Sequence, residues 1–485
     1  MPTILTFRVR RWAAAAMCAT ALAGCARNPV TGRNELALIS ESQEIELGRQ
    51  SAQQVEQSIG LVADAELQSY VQGIGAGLAA ESERPELPWT FRVVDDPTPN
   101  AFALPGGFIF VTRGLLSLMD SEAELASVLG HEIGHVTARH SVAQISRAQL
   151  AQLGLGIGMV LSETLRQYGD LASSGLQLLF LKYGRDAERQ ADDLGFRYAL
   201  TEGYDVRDMV DVFTALQRAG ELAKQSALPA WLATHPYPEE RIERTRARIA
   251  ALDRPTEGLT LDRAKYLESI EGMVYGVNPR NGFFQGTTFL HPDLRFRINF
   301  PQGWQVQNLA QAVVGVSPRQ DAVIQLTLAG SGDPANAARQ FLGQQGIQPG
   351  RATRETINGV PAVASYFQAQ TEQGVLAGLV VFFAHGGRTY QVLGYAPGQQ
   401  FSAYDPLLRQ SLGSFGPLTD PRTLAIQPNQ MDIIRLEQGM TLAQFNQRYP
   451  SPIPLPELAL INQVSGEGAM LPAGTLAKRV TGTAP

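Results

Sequence analysis

Two histidines four residues apart are the part of this 485-residue chain with the clearest chemical meaning. His131 and His135 enclose Glu132 in the pattern H-E-x-x-H. An α-helix turns about 100° per residue, so positions i and i+4 lie roughly 40° apart and both imidazoles can aim at one point. Glu132 is then placed to hold a water molecule rather than the metal. This pattern is typical of zinc hydrolases, and a metalloprotease is the leading interpretation.

The neighbouring residues predict that this segment is a buried helix. Ser121, followed three residues later by Glu124, has the form of a capping box at the helix start. The apolar positions that recur at helical spacing are Leu125, Val128, Leu129 and Val136. A buried histidine pair needs a polar partner, which a metal ion supplies. The alternative is an exposed helix that carries two histidines and a glutamate without a metal.

A catalytic zinc ion usually takes three protein ligands and keeps one position for water. Glu188 and Asp192 are again four residues apart, on a second predicted helix. One carboxylate can bind zinc, and the other can accept the remaining N–H of a zinc-bound histidine. A solvated charged helix face fits the same spacing equally well. His140 lies about 140° around the first helix from His135, so we interpret it as a helix-face or surface histidine.

Several motifs follow one another in order along residues 28–250. They are Asn28-Pro29-Val30-Thr31-Gly32-Arg33, Asn100-Ala101-Phe102-Ala103, the H-E-x-x-H helix, Glu188-x-x-Ala191-Asp192 and Thr234-His235-Pro236. Together they resemble metallopeptidase family forty-eight, which belongs to the gluzincins. The resemblance implies one zinc ion per chain, with Glu188 as the third ligand beside His131 and His135. It also implies that Asp192 orients a ligand and that Glu132 is the general base and acid.

The histidine before Pro236 has two interpretations. Similar periplasmic members of the family carry such a histidine near the zinc, which implies that His235 is a fourth ligand or a transition-state stabiliser that gates the site. Arg241 similarly resembles an arginine at the edge of that site. The local alternative is that His235 only packs beneath a helix that begins near Pro238.

A β-hairpin is predicted upstream of the H-E-x-x-H helix. Its two strands are Ala101–Leu104 and Phe108–Thr112, joined by Pro-Gly-Gly at 105–107. An edge strand beside such a helix can pair with the backbone of an extended substrate. Asn100, Ala101 and Phe102 are the candidate residues for this role. An interior hairpin fits the pattern equally well.

The first 24 residues predict export from the cytoplasm. Three arginines within residues 8–11 precede an alanine-rich apolar run, which is shorter than the roughly 20 residues of a transmembrane helix. The run ends in Leu22-Ala23-Gly24-Cys25, which resembles a bacterial lipobox and implies a lipidated Cys25. By the same resemblance, Ala26 sends the lipoprotein to the outer membrane, facing the periplasm. The alternative is an ordinary signal peptide with an incidental cysteine.

The composition argues against some partners and ligands. The net charge is −6 and no basic patch stands out, which argues against nucleic acid. The two cysteines are Cys18 and Cys25, so a chain that is cleaved before Cys25 and lipidated on it has no thiol for a disulfide or for cysteine-bound zinc. No later segment is long and apolar enough for a transmembrane helix.

The pattern of predicted helices and strands indicates an α+β multidomain chain. The expected parts are a signal peptide at 1–24, a mainly helical zincin peptidase domain with a small edge-strand sheet at 25–255, a connector at 256–290, an α+β sheet domain of unknown role at 291–418 and a β-α-α-β module at 421–485. The last part resembles a LysM module, a family that binds peptidoglycan or chitin. A small packing domain without a ligand is the alternative.

Residues 148–181 combine apolar runs with glycines. We expect helices that cover the cleft, either as a mobile lid, as a membrane-facing surface or as plain core helices.

These features predict a zinc-dependent endopeptidase of the bacterial envelope that cleaves extended or misfolded polypeptides, in quality control or in outer-membrane assembly. The expected partners are envelope polypeptides, the outer membrane through the lipid anchor, and peptidoglycan or the outer-membrane assembly machinery. Two alternatives are a chaperone-like assembly factor with latent protease activity and a peptidoglycan-binding scaffold.

Overall fold

The computed structural model describes residues 25–152, 183–223, 231, 234–236, 238–253, 255–371 and 374–483. The predicted signal peptide and most of the predicted cleft-covering segment at 148–181 lie outside the described residues. The chain divides into two compact units. The first contains Met1–Glu56, Gly60–Met273 and Gln430–Thr481, and the second contains Gln57–Ile59, Val274–Asn429 and Gly482–Pro485.

The N-terminal segment of the first unit is mainly helical. Its helices are α1 (Glu41–Ser58), α2 (Ala65–Ala80), α3 (Arg113–Leu118), α4 (Glu122–Thr137), α5 (His140–Gln152), α6 (Arg185–Thr201), α7 (Met209–Ala223), α8 (Pro238–Ala250) and α9 (Arg263–Ser269). Its strands are β1 (Cys25–Arg27), β2 (Asn34–Leu36), β3 (Thr90–Val94), β4 (Ala101–Leu104) and β5 (Phe108–Thr112).

The second unit consists mainly of strands. They are β6 (Val274–Tyr275), β7 (Phe283–Gln285), β8 (Thr288–His291), β9 (Phe296–Asn299), β10 (Gln305–Asn308), β11 (Ala312–Val316), β12 (Val323–Leu328), β13 (Ile347–Pro349), β14 (Thr353–Ile357), β15 (Val360–Thr371), β16 (Gly374–His385), β17 (Arg388–Pro397) and β18 (Gly416–Pro417). Its helices are α10 (Pro334–Leu342), α11 (Phe401–Leu412) and α12 (Pro421–Leu424).

The C-terminal segment of the first unit completes the described chain. Its elements are β19 (Asn429–Arg435), β20 (Met440–Thr441), α13 (Leu442–Arg448), α14 (Leu455–Ile461), β21 (Met470–Leu471) and β22 (Leu476–Thr481).

Helix α4 lies at the centre of the first unit, and every one of its residues is buried. It packs against α6, where glycines replace side chains at the contact. A Cβ atom added to Gly130 of α4 would lie 3.0 Å from the carbonyl oxygen of Gly195 in α6. The two backbones therefore approach closely, and side chains from both helices can meet at one point.

Strands β3, β4 and β5 form a small sheet with β5 in the middle. Strand β3 is parallel to β5, and β4 is antiparallel to it, with Ala101 opposite Val111 and Leu104 opposite Phe108. The predicted hairpin is therefore confirmed. Within the described part of the chain, no strand pairs with the outer edge of β4. The same strand contacts α4, the helix that carries the H-E-x-x-H motif.

The main sheet of the second unit has eight strands in the order β10-β11-β12-β17-β16-β15-β13, with β14 also paired to β15. Neighbouring side chains of β16 lie on opposite faces of the sheet, because successive side chains of a strand alternate in direction. Phe383 belongs to the larger apolar core, together with Leu408 of α11. Phe382 belongs to a smaller cluster with Ala338 of α10. With helices and several sheets in both units, the α+β multidomain prediction is confirmed at that coarse level.

The elements of the C-terminal segment follow the order β19-β20-α13-α14-β21-β22, with β19 antiparallel to β22. It packs within the first unit rather than apart from it. The buried Lys478 donates through Nζ to the carbonyl oxygens of Ser117 and Met119, at 3.2 and 2.7 Å. Gln463 donates to the carbonyl oxygen of Leu118 at 2.9 Å. This segment therefore contacts the chain just ahead of α4. Among the described helices, none has the length and apolar character of a membrane span.

Candidate metal centre

Four buried side chains converge inside the first unit. They are His131 and His135 of α4, Glu188 of α6 and His235, which precedes α8. One ligand atom from each lies within 4.8 Å of the others. None of the four residues is more than 2% exposed. The structure thus brings the predicted ligands together, including the histidine whose place the sequence left open.

The separations between these atoms fit a zinc ion. Nε2 of His131 lies 3.0 Å from Nε2 of His135 and 3.3 Å from Nδ1 of His235. The oxygens of Glu188 lie 3.6 Å from both Nε2 atoms and 3.1 Å from Nδ1 of His235. Tetrahedral zinc with bonds of about 2.0–2.1 Å holds its ligand atoms roughly 3.3 Å apart. Imidazole nitrogen and carboxylate oxygen are also ligands that zinc accepts.

Glu132 lies beside this cluster in an unusual environment. The residue is fully buried, yet neither carboxylate oxygen has a hydrogen-bond partner among the described residues. Nε2 of His235 lies 3.5 Å from its Oε1. Buried polar atoms without a partner are rare, and they indicate a place where a water molecule or a substrate group can bind. The carboxylate is therefore available to a molecule that enters the cluster.

Asp192 and Arg241 form the wall behind His131. The Nδ1–H of His131 donates to Oδ1 of Asp192 at 2.9 Å, which leaves Nε2 to face the cluster. Arg241 donates to both oxygens of the same carboxylate, at 2.6 and 2.9 Å. Its guanidinium lies 4.2 Å from the ring centre of Phe213 and 4.5 Å from that of Trp231. The arginine is thus fixed by a bidentate ion pair and by two aromatic faces.

The charges in the cluster favour a cation. Burial raises the pKa of Glu188, but His235 and Arg241 outweigh burial and the net pKa is lowered. Burial lowers the pKa of His135, and the nearby His131 lowers that pKa further. A carboxylate that keeps its charge and an imidazole that stays neutral are the forms that bind a metal ion.

The interpretation of His140 as a helix-face or surface histidine is wrong, because this residue is only 8% exposed. The angular argument assumed one continuous helix, whereas α4 ends at Thr137 and Arg139 takes a left-handed φ of 56°. His140 consequently starts α5 and turns back, so that its Nδ1 lies 2.9 Å from Nδ1 of His135. Its Nε2 lies 3.0 Å from Oε1 of Gln190 in α6.

Sequence reasoning also missed Tyr183. Its ring stacks on His135 with the two ring centres 3.9 Å apart, and its hydroxyl lies 2.8 Å from Oγ of Ser141. A histidine just beyond the H-E-x-x-H helix was a usable signal for His140, but Gln190 and Tyr183 carry no motif of their own.

The predicted substrate strand lies next to the site helix. Asn100 precedes β4, and its backbone N–H donates to Oγ1 of Thr112 at 2.9 Å. Ala101 and Phe102 are buried within β4, and the Phe102 ring stacks on Phe110 with centres 5.2 Å apart. Cys25 begins β1, opposite Leu36, and its lipidation stays a prediction.

Residues 65–249 match the model of Peptidase family M48, and this region contains all four members of the cluster. This domain belongs to peptidase family M48. The zinc dependence of that family agrees with the ligand separations measured in the cluster. The resemblance to metallopeptidase family forty-eight is therefore confirmed for this part of the chain.

The chain is similar to peptidases from several organisms. Identity is 31% over 228 residues with the beta-barrel assembly-enhancing protease of Yersinia pestis, covering 45% of this chain and 46% of that protein. It is 29% over 229 residues with the protein of the same name from Escherichia coli, covering 45% and 46%. It is 32% over 183 residues with the mitochondrial metalloendopeptidase OMA1 of Schizosaccharomyces pombe, covering 36% and 51%. The chain spans about half the length of these relatives.

Among solved structures, cyanobacterial PsbP from a Synechocystis species covers 28% of this chain and 94% of its own, with 11% identity and a TM-score of 0.24. At that TM-score the likeness supports no assignment.

Proposed function

We propose that this chain is a zinc-dependent endopeptidase in which His131, His135 and Glu188 hold the metal ion. The observation that carries the proposal is the convergence of buried ligand atoms at zinc-like separations beside the carboxylate of Glu132, which no described residue hydrogen-bonds. A zinc ion, when bound, lowers the pKa of its water to about 7 and polarises the scissile carbonyl. The other steps belong to side chains of the chain itself.

Glu132 is the proposed general base and acid. Its carboxylate takes the proton of the attacking water and returns it to the leaving amine. Asp192 holds His131 in the Nδ1–H tautomer, so that Nε2 stays free of hydrogen. His235 or Arg241 stabilises the negative charge that develops on the carbonyl oxygen.

The proposed substrate is an extended polypeptide that lies along β4. The outer edge of this strand is not paired with another described strand, and the strand contacts α4. Between Asn100 and Phe102, Ala101 would offer its backbone groups to the substrate, which adds as a further strand. The backbone N–H and C=O of Asn100 are already bonded to Thr112. The relatives named as beta-barrel assembly-enhancing proteases support envelope polypeptides as the substrate class, in quality control or outer-membrane assembly.

The proposed location is the periplasmic face of the outer membrane, with lipidated Cys25 as the anchor. The lipobox-like segment before Cys25 supports this location. For the LysM-like segment at 421–485, the contacts of Lys478 and Gln463 support the alternative of a packing domain, because both side chains donate to the chain ahead of α4. Peptidoglycan binding by this segment rests on the sequence resemblance alone.

A chaperone-like assembly factor with latent proteolysis is a second candidate. It is favoured by the position of His235, whose Nδ1 lies as close to the other ligand atoms as they lie to one another. A fourth protein ligand would close the position that water needs, so the resting site would be inactive. Movement of His235 would then open the site.

The substitution Glu132→Gln tests the endopeptidase proposal in the full chain. We expect one zinc ion per chain, as in the unchanged protein, and a fall of about 10²-fold or more in cleavage of fluorescently labelled casein. The exposed Glu243 of α8 offers a matched control, and Glu243→Gln should leave both quantities unchanged. Undiminished cleavage by the Glu132→Gln protein would refute the mechanism.

A further inference from the structure

Both α4 histidines are connected to helix α6 through the ring nitrogen that faces away from the cluster. Nδ1 of His131 reaches Asp192 directly, at 2.9 Å. Nδ1 of His135 reaches α6 through an intermediate: it lies 2.9 Å from Nδ1 of His140, whose Nε2 lies 3.0 Å from Oε1 of Gln190. One turn of α6 therefore anchors both rings. It holds His131 through the carboxylate of Asp192 and His135 through the neutral side chains of His140 and Gln190.

A metal ion on Nε2 of His135 would fix the positions of the protons in this chain of contacts. Two imidazole nitrogens at 2.9 Å form a hydrogen bond only if one of them carries hydrogen and the other does not. Nε2 of His135 faces the cluster, and a metal ligand nitrogen has no hydrogen, so the hydrogen of this neutral ring is on Nδ1. Nδ1 of His140 is then the acceptor. Its hydrogen is on Nε2, which donates to the amide oxygen of Gln190.

The backbone turn that delivers His140 is itself held in place. Arg139 has a left-handed φ of 56°, which is uncommon for a residue with a side chain. Its Nε donates at 3.0 Å to Glu44, whose side chain is only 1% exposed. On the other side, the Tyr183 ring covers the face of His135. The His135 ring is therefore fixed by stacking on its face and by a hydrogen bond at its edge.

We propose that His140 and Gln190 are positioning residues that fix the tautomer and orientation of His135 as a metal ligand, as Asp192 does for His131. The proposal rests on the proposed function, because it needs a metal ion in the cluster. The two ligands are not equivalent under this arrangement. The carboxylate of Asp192 makes the His131 ring a stronger electron donor to the metal ion. The neutral His140 orients His135 without adding charge beside the cluster.

The test compares zinc affinity across variants of the full chain, by competition with a chromophoric chelator. His140→Phe keeps a ring but loses the acceptor, and we expect about 10–100-fold weaker zinc binding. His140→Asn retains an acceptor oxygen near the position of Nδ1 and should restore most of the affinity. Gln190→Leu should weaken binding less than His140→Phe, because the direct partner of His135 remains. His385→Phe, in the second unit, is the control for loss of a histidine and should match the unchanged protein.

A second measurement separates positioning from a purely structural role. In the Co²⁺-loaded protein, we expect the visible absorption bands to shift in His140→Phe and to return in His140→Asn. The thermal midpoint of the metal-free variants shows whether each one folds. If His140→Phe does not fold, Gln190→Leu carries the test.

The outcomes distinguish this proposal from the one on which it rests. An unchanged protein that binds no zinc overturns the proposed function. An unchanged protein that binds zinc, together with folded His140→Phe or Gln190→Leu variants of equal affinity and identical Co²⁺ spectrum, overturns only the positioning role.

Discussion

Gly195 of α6 lies so close to His131 of α4 that a Cβ atom on the glycine would come 2.7 Å from the backbone nitrogen of the histidine. No real Cβ atom tolerates that distance to backbone, so one of the two helices would have to move. These helices carry the predicted metal ligands, and their separation decides whether Glu188 reaches His131 and His135. The absence of a side chain at Gly195 is therefore a condition for the geometry of the cluster.

The substitution Gly195→Ala should weaken the site and the fold together. We expect a loss of about 1–3 kcal/mol in unfolding free energy from overpacking, and weaker zinc binding because the ligands separate. Chemical denaturation and chelator competition measure the two effects. Gly73→Ala, on the exposed side of α2, should instead stabilise the chain by up to about 1 kcal/mol, because no neighbouring group of the described residues lies within 4 Å of the added Cβ atom. Equal behaviour of the two variants would contradict the close-packing argument.

The substitution Asp192→Asn should impair both the metal site and the fold. It removes the charge that pairs with the buried Arg241, and removing one partner of a buried pair costs about 3–5 kcal/mol. It also weakens the hold on His131, so we expect about 10–100-fold lower zinc affinity. Asp193→Asn is the matched control, because its side chain is 42% exposed and its ion pairs contribute about 1 kcal/mol or less. Unchanged zinc affinity in Asp192→Asn would refute the role of this carboxylate.

Local spacing sufficed for much of the site. The i and i+4 positions of His131 and His135 depend only on helix geometry, and the helix was marked by a capping signal. Ser121 does cap α4, since its Oγ accepts from the amide of Glu124 at 3.1 Å. The carboxylate of Glu124, however, accepts from the amide of Asp120 and from the side chain of Gln463. The full capping box therefore does not form, because the Glu124 carboxylate bonds to Asp120, one residue before the cap, and to a distant segment.

Other features of the site could not be read from spacing. The place of His140 depends on where α4 ends, and the left-handed turn at Arg139 is held by Glu44, far away in sequence. The contact between α4 and α6 depends on which glycines face each other. Periodicity identifies a helix, but it does not specify the residues that the helix meets after folding.

The substitution Lys478→Met should loosen the C-terminal segment from the first unit. The lysine is fully buried, and its loss leaves the carbonyl oxygens of Ser117 and Met119 without this donor. Each unsatisfied buried group costs about 1–3 kcal/mol, so we expect a lower thermal midpoint and faster proteolytic release of residues 430–481. Lys265→Met should release this segment no faster, because Lys265 is 60% exposed and its partner Glu122 keeps Tyr70 and Tyr204 as donors. If proteolysis releases the segment at an unchanged rate in Lys478→Met, the hydrogen bonds of Lys478 do not hold this segment to the first unit.

The stability of the second unit should depend on pH through His291. Burial lowers the pKa of this imidazole from its ordinary 6.5 to about 4. Between pH 4 and 6.5 the unfolded chain therefore binds a proton that the folded chain does not, and unfolding free energy rises with pH across this window. Below pH 4 the protonation of this group lowers the unfolding free energy by at most about 3 kcal/mol, before solvent screening is taken into account. Above pH 6.5 this loss disappears. His291→Asn keeps an acceptor for the amide of Leu294 and should flatten this part of the profile. Hydrogen exchange of second-unit amides at pH 4.5 and 7 measures the difference. A pH dependence that is the same in both proteins would show that His291 is not the group responsible.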